Sequence, residues 1–407
     1  MTKYSHPILY ALVNELRRIF RDPGVTVIFI VASLAYPLIY KALYWHEQIT
    51  DVPVAVVDLS NSPQSRAFLH KWNATPDIKL THTCISMAEA EQLLRDQKVH
   101  GIIYFPRDFA KQLADPLGKA HISLYCDMSS FLYMKAIYLS CNNVMLEDMR
   151  NIQIDRYEQM GMDKEFAWAL VQDAPYTETA LFTPTGGYGS FLIPAVLVLI
   201  LHQTLFFGIC MLGGTAREEN DESYTFSSLL GRAGACFIIY YGLAAILLGF
   251  FPRLFDIPHI GDIGDILLLI VPYLLAVIFF SLCVSVFIRN RESGLVLLIS
   301  SSLIFLFMAG ISWPKEMIPQ AWRYLSYFIP YTWGSHAFIH INSMGASLFS
   351  SSDFLRIFGV AAPEGFNASA TVECCALWLL TLIYFLLACI LFYVKKKRLL
   401  EEHVSKS

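Results

Sequence analysis

Three groups of residues in this 407-residue chain have types and spacings that could do chemistry. The first is Arg217-Glu218-Glu219, within a short polar stretch, Leu212 to Arg232, that separates two long apolar runs. It offers ion pairing but no nucleophile–base pair, so it suits a handle that another protein grips. The second is His336 and His340, whose i, i+4 spacing could hold a metal on one helix face. The same spacing suits an interfacial helix face, and no metal is assigned. The third is His202-Gln203, near the middle of an apolar run. A polar side chain at such a depth is costly in lipid and turns towards a protein interior or a pathway. A place on a substrate path, at a subunit seam, or in an interhelical hydrogen bond all fit.

Motifs for intrinsic catalysis are missing. Gly118-Lys119 is followed by Ala120 and lacks the Gly five residues before Gly118 that a phosphate-binding loop needs. No H-E-x-x-H occurs, and Phe349 stands where a nucleophile elbow at Gly345-Ala346-Ser347 needs its closing Gly. Enzyme activity and a bound cofactor are therefore not expected of this chain.

The elements that must carry these residues follow from composition. Hydrophobic residues make up 55% and charged residues 16%, where a soluble domain carries about a quarter charged; this is a membrane protein. With a net charge of -4 and no basic run interleaved with aromatics, nucleic acid is not an expected partner. The nine Cys form no C-x-x-C pair. Cys84, Cys126 and Cys141 lie in a soluble stretch where a Cys84–Cys126 bridge is conceivable, although sequence does not fix the pairing.

Ile8, Leu12, Leu16, Ile19 and Phe20 recur at helical spacing with Arg17, Arg18 and Arg21 between them, and Asp22-Pro23-Gly24 ends the pattern. Such a basic amphipathic helix beside a span lies in the membrane interface. Six apolar segments are long enough to cross a core of roughly 30 Å: Val25–Trp45, Phe191–Leu212, Ala233–Phe251, Ile266–Ile288, Gly294–Ile311 and Ala376–Val394. Arg17, Arg18, Arg21, Arg217, Arg232, Arg289, Arg291 and Lys395 to Arg398 all fall on one side, so both termini and the Leu212–Arg232 loop are expected in the cytoplasm. Lys41, near the end of the first span, can snorkel to the outer interface, and Pro37, Pro194 and Pro272 would kink spans.

Between the first two spans, strand-like runs at Val52–Val57, Ile78–Thr83, Val99–Phe105 and Ile122–Cys126 alternate with helical stretches near Pro63, at Met87–Gln97 and at Arg107–Ala114. This predicts a small α/β domain. A helical region, Leu132 to Val171, and a Pro/Thr/Gly-rich return, Pro175 to Gly189, follow. In the last outer loop, Trp313, Trp322, Tyr324, Tyr327, Phe328, Tyr331 and Trp333 are packed among Pro314, Pro319 and Pro330, which suggests short helices on or in the outer leaflet.

Four stretches resemble the membrane subunits of type-2 ABC exporters, in particular the subgroup with a large extracytoplasmic domain after the first span. They are Val54–Leu69 (VAVVDLSNSPQSRAFL), Val99–Leu113 (VHGIIYFPRDFAKQL), Gly213–Ser228 and Pro314–Pro330. The sequence departs from that pattern at Ser60 or Asn61, where members often have a second Asp, and at Ser223-Tyr224-Thr225. The resemblance implies an α-helical polytopic membrane protein with six transmembrane helices, an inserted extracytoplasmic α/β domain and an N-terminal amphipathic interfacial helix. Its expected parts are the amphipathic helix 1–24, first span 25–45, α/β domain 46–190, five spans within 191–394, coupling loop 213–232, outer re-entrant segment 312–375 and basic tail 395–407.

The resemblance also implies partners. A separate cytoplasmic ABC ATPase would hold ATP and Mg and push on the coupling loop through Arg217, Glu218, Glu219, Tyr224, Phe226, Leu229 and Leu230. A second copy or a sister permease would complete the dimer, and a periplasmic adaptor could meet the outer domain. His202 and Gln203 are substrate-path candidates. Trp313, Pro314, Trp322 and Pro330 mark the outer-leaflet segment. The expected cargo is an amphipathic drug-like molecule or a lipid, exported through a bacterial inner membrane; the alternative is an ATPase-driven mechanical transmitter with nothing crossing.

Overall fold

One helix, Tyr188–Glu218, is buried along almost its whole length, whereas the first and last apolar helices are mostly exposed. It is the axis of its unit. The computed structural model describes residues 7–115, 119–171, 187–219, 223–349 and 369–406. They divide into two units, Gln48–Thr179 and the rest, Met1–Glu47 with Ala180–Ser407. Residues 175–186 of the expected return and residues 350–368 of the last outer loop lie outside the described residues.

The larger unit is helical. It begins with α1, Pro7–Arg21, whose buried Ile19 and Glu15 face the first turns of α9, Phe226–Leu254. Glu15 meets Arg232 at 3.8 Å. The approach is close because Gly231 has no side chain: a Cβ there would lie 2.5 Å from that of Ala11. Ile8, Leu9, Tyr10, Val13 and Phe20 stay exposed, as on a helix that rests against lipid. Asp22 caps α2, Pro23–Leu43, by accepting from the N–H groups of Gly24 and Val25 at 3.0 and 3.2 Å. Lys41 pairs with Glu47 at 3.5 Å, so its charge is met within the unit.

Among the described residues, five helices are long and apolar enough to cross a membrane: α2, α8 (Tyr188–Glu218), α9, α10 (Ile263–Ser285) and α14 (Thr371–Lys406). The segment expected as a further span forms α11, Arg291–Met308, 18 residues and so about 27 Å long. Pro37, Pro194 and Pro272 all sit inside continuous helices. Between α8 and α2, Ser33 donates to Thr204 at 2.9 Å, and the ring of Phe29 lies over Gly208.

The smaller unit is built on four strands: β1 (Val52–Asp58), β2 (Ile78–Cys84), β3 (Gly101–Phe105) and β4 (Ser123–Cys126). Their order is β2-β1-β3-β4, parallel except for β4 against β3. β1 is buried almost throughout, as a parallel strand covered on both faces must be. Around the sheet lie α3 (Pro63–Asn73), α4 (Met87–Arg95), α5 (Phe109–Ala114), α6 (Phe131–Gln159) and α7 (Lys164–Val171). One core holds Val54, Phe68, Trp72, Ile103, Phe105 and Phe109. The other holds Ala55, Val57, Cys84, Ala90, Val99 and Ile102.

That division corrects the conceivable Cys84–Cys126 bridge. The two residues lie on the outermost strands, three spacings or about 14 Å apart, beyond the roughly 7 Å reach between Cα atoms. Cys84 also belongs to one core while Cys126 packs on the other, and both thiols are free.

The VDLSNSP stretch at the end of β1 is a turn and a cap. Asp58 Oδ1 accepts from the N–H groups of Ser60 and Asn61, both at 3.0 Å, and Oδ2 accepts from the Ser65 hydroxyl at 2.6 Å. Ser62 and Ser65 form a capping box on α3. With Asp58 providing these bonds, the turn needs no acid at 60 or 61.

Candidate functional site

The Gly213-Gly214 pair near the end of α8 lets two backbones meet. A Cβ on Gly214 would lie 2.7 Å from the carbonyl carbon of Asn290 and 2.8 Å from the nitrogen of Arg291, and one on Gly213 would lie 3.1 Å from Ser285. The end of α8 therefore sits against the turn joining α10 to α11. At that contact Arg217 donates to the carbonyls of Val286 and Ile288 and to the Tyr224 hydroxyl at 3.1 Å. The last carbonyls of a helix lack intrahelical donors and favour a cation; Arg217 satisfies both needs.

Glu218 and Glu219 extend the junction. Glu218 Oε1 accepts the backbone N–H of Arg291 at 2.8 Å, one of the four orphan donors at the start of α11. Glu219 pairs with Arg18 of α1 at 3.5 Å. Arg291 in turn grips Asp22 with two bonds of 2.6 and 2.7 Å and reaches Thr215 at 3.2 Å. Burial opposes the charge of Asp22, but Arg291 and the N–H groups of Val25 and Gly24 hold its carboxyl below the ordinary value.

The expected coupling residues thus divide. Arg217, Glu218 and Glu219 bind neighbouring elements of their own chain. Tyr224 packs edge-on against Phe392, rings 5.2 Å apart. Leu229 is fully buried in the helical core, so in this conformation its side chain packs inside the unit and is not at the surface. Phe226, first residue of α9, is 58% exposed and is the apolar side chain of this group that a partner could bury. Arg291 and Asp22 were not singled out as site residues from the sequence, although Asp22-Pro23-Gly24 marked a helix stop.

The structure encloses His202 and Gln203 in the interior. The His202 ring lies among Phe206, Phe280, Phe305 and Tyr331, with centroids 5.3 to 6.2 Å away. Among the described residues neither ring nitrogen has a hydrogen-bond partner. The His202 ring thus joins an aromatic packing between α8, α10, α11 and α13 (Pro330–Met344), away from Arg217, while Gln203 is buried beside it in the chain.

At the other end of the helical unit, His336 Nε2 meets the Ala309 carbonyl at 2.7 Å, while His340 Nδ1 is 3.3 Å from Glu373. The two imidazoles, 6.3 Å apart, therefore serve separate partners. Among the described residues no three His, Cys, Asp or Glu are grouped to hold a metal ion. Pro314 leads into a 3-10 turn, Lys315–Met317, and Pro319 into α12, Gln320–Ser326. Trp313 and Trp322 stay exposed with Tyr324 and Phe328, while Pro330 is buried at the start of α13. The α/β unit has a cleft of about 500 Å³ lined by Phe68, Lys71, Leu113, Asp148, Ile152 and Arg156. Within it Lys71 pairs with Asp148 and Arg156 donates to the Leu113 carbonyl.

The family model described as ABC-2 family transporter protein matches residues 24–390. The chain belongs to the ABC-2 transporter family. No curated protein matches it. As an ABC-2 family member it is the multi-pass membrane component of an ABC transporter, not itself catalytic, and the family implies an ATPase partner. The junction at the end of α8 is thus a junction in an ABC-2 permease.

Proposed function

We propose that this permease exports amphipathic drug-like molecules or lipids and that the end of α8 is where a cytoplasmic ATPase drives it. The observation that carries the reading is the set of bonds from Arg217, Glu218 and Glu219 to three other parts of the chain. A displacement of the loop beyond Glu219 is delivered at once to the α10–α11 turn, to α11 and to α1. Phe226 is the exposed apolar anchor beside that loop, and buried aromatic anchors are what make a small interface strong.

In this reading α11 is a sixth span, both termini and residues 213–232 are cytoplasmic, and the Gln48–Thr179 unit is extracytoplasmic. The basic residues Arg17, Arg18, Arg21, Arg232, Arg289 and Arg291 support that orientation. The membrane is a bacterial inner membrane, a second permease copy or sister permease completes the transporter, and a periplasmic adaptor can meet the outer unit. ATP and Mg are held by the ATPase subunit. Exposed Trp313, Trp322, Tyr324 and Phe328 suit cargo release near the outer leaflet, where aromatic side chains prefer to sit.

The closed aromatic packing around His202 favours a second reading, in which the ATPase moves the outer unit and nothing crosses. Purification with the partner ATPase into phospholipid vesicles separates the two. Transport predicts that a lipophilic cationic dye or a fluorescent phospholipid stimulates ATP hydrolysis and changes side of the bilayer with ATP. ATP hydrolysis without movement of any probe contradicts export and supports transmission.

A further inference from the structure

Three helices begin or end at one guanidinium. Arg291 is the first residue of α11, and its side chain takes both oxygens of Asp22, the cap of α2. Its Nη1 also reaches Thr215 in the last turn of α8 at 3.2 Å, and its N–H is held by Glu218 at 2.8 Å. Asp22 is only 11% exposed and Arg291 36%, so solvent competes little for the carboxylate.

The space for this arrangement is made by two glycines. A Cβ on Gly24 would lie 2.4 Å from Arg291 Nη2, and one on Gly214 would strike the backbone of Asn290 and Arg291. A parallel two-bond guanidinium–carboxylate pair is directional as well as strong, so it fixes the angle between helix starts and not merely their distance.

We propose that Arg291 is a positioning residue that joins α1–α2, the end of α8 and the start of α11 into one block, so that the motor moves the amphipathic helix and α11 together. The proposal rests on the coupling reading of the α8 end. No contact of Arg291 with the ATPase is required; it acts through Asp22 and Glu218.

The test uses the full permease–ATPase complex in nanodiscs, with spin labels on unnatural amino acids at Val13 and Val296, both exposed, so that the native cysteines remain. A second pair at Phe226 and Leu303 reports whether the loop moves at all. In the native chain, ATP with vanadate changes the Phe226–Leu303 distance and leaves the Val13–Val296 distance unchanged. Asp22→Asn keeps a good helix cap but removes the charge. It is expected to co-purify the ATPase and to shift or broaden the Val13–Val296 distance in the ATP state. Transport per ATP falls about tenfold, the scale of one charge-assisted pair, and Asp22→Glu restores part of it. A Val13–Val296 distance that changes with ATP in the native chain, or stays fixed in Asp22→Asn, overturns the proposal while leaving the coupling reading intact. An unmoved Phe226–Leu303 pair overturns the coupling reading itself.

Discussion

The carboxylate of Glu218 accepts the backbone N–H of Arg291 at 2.8 Å, so the last residue of α8 holds the first residue of α11. Glu218 is exposed, and an exposed contact of this kind contributes at most about 1 kcal/mol to stability. Glu218→Lys is therefore expected to insert and fold normally. It replaces an acceptor at a helix N-terminus with a cation facing Arg291, and should lower transport per ATP hydrolysed several-fold. Coupled ATPase and transport assays on reconstituted complex check this; unchanged coupling removes Glu218 from the pathway.

Helix packing at the axis gives a sharper structural test. A Cβ on Gly208 would lie 1.8 Å from Phe29 Cε1, whereas one on Gly242 meets nothing within 4 Å. Gly208→Ala should destabilise the permease by about 1–3 kcal/mol through overpacking. Gly242→Ala should be neutral or stabilise by up to about 1 kcal/mol, since it adds a better helix former. Thermal unfolding in one detergent, with both variants side by side, distinguishes them.

The organisation of the chain was legible because its signals are local. The apolar runs gave the five membrane-competent helices, and the alternation from Val52 to Cys126 gave the four strands in register with the observed ones. What was not legible depends on partners far apart in sequence. Arg291 and Asp22 are 269 positions apart, and nothing in either neighbourhood names the other. Leu229 was placed in the coupling loop by resemblance, whereas it lies in the first turn of a helix whose inner side is set by packing against distant elements. The Cys84–Cys126 question needed the strand order, which follows from the register of β1 with both β2 and β3.

In the α/β unit, Asp58 supplies three accepted hydrogen bonds to its turn. Asp58→Ala should cost about 1–3 kcal/mol, because it removes the charge-assisted bond to the Ser65 hydroxyl and the acceptor of the Ser60 and Asn61 N–H groups. Asp58→Asn should cost less, since an amide oxygen still serves the turn. Denaturant unfolding of the full chain, followed by Trp72 fluorescence with the other six of its seven Trp replaced by Phe, reads both; equal loss for Ala and Asn contradicts this division.

The Arg291–Asp22 pair also fixes a pH dependence. Its carboxyl is held below the ordinary 3.8, so the stability it contributes is fully present above that value and is lost as pH falls through the lower folded-state value. Between pH 5 and 9 coupling through this pair should not titrate. The difference in transport per ATP between the native protein and Asp22→Asn should therefore be constant over that window, and a difference that vanishes near pH 6 would show that another group carries it.

The central claim is that the segment beginning at Phe226 meets the ATPase. A photo-crosslinking amino acid at Phe226, compared with one at Trp313, tests it in the assembled transporter. The account predicts an ATPase adduct from position 226 and none from position 313. An adduct from 313, or none from 226 when the ATPase co-purifies, would contradict it.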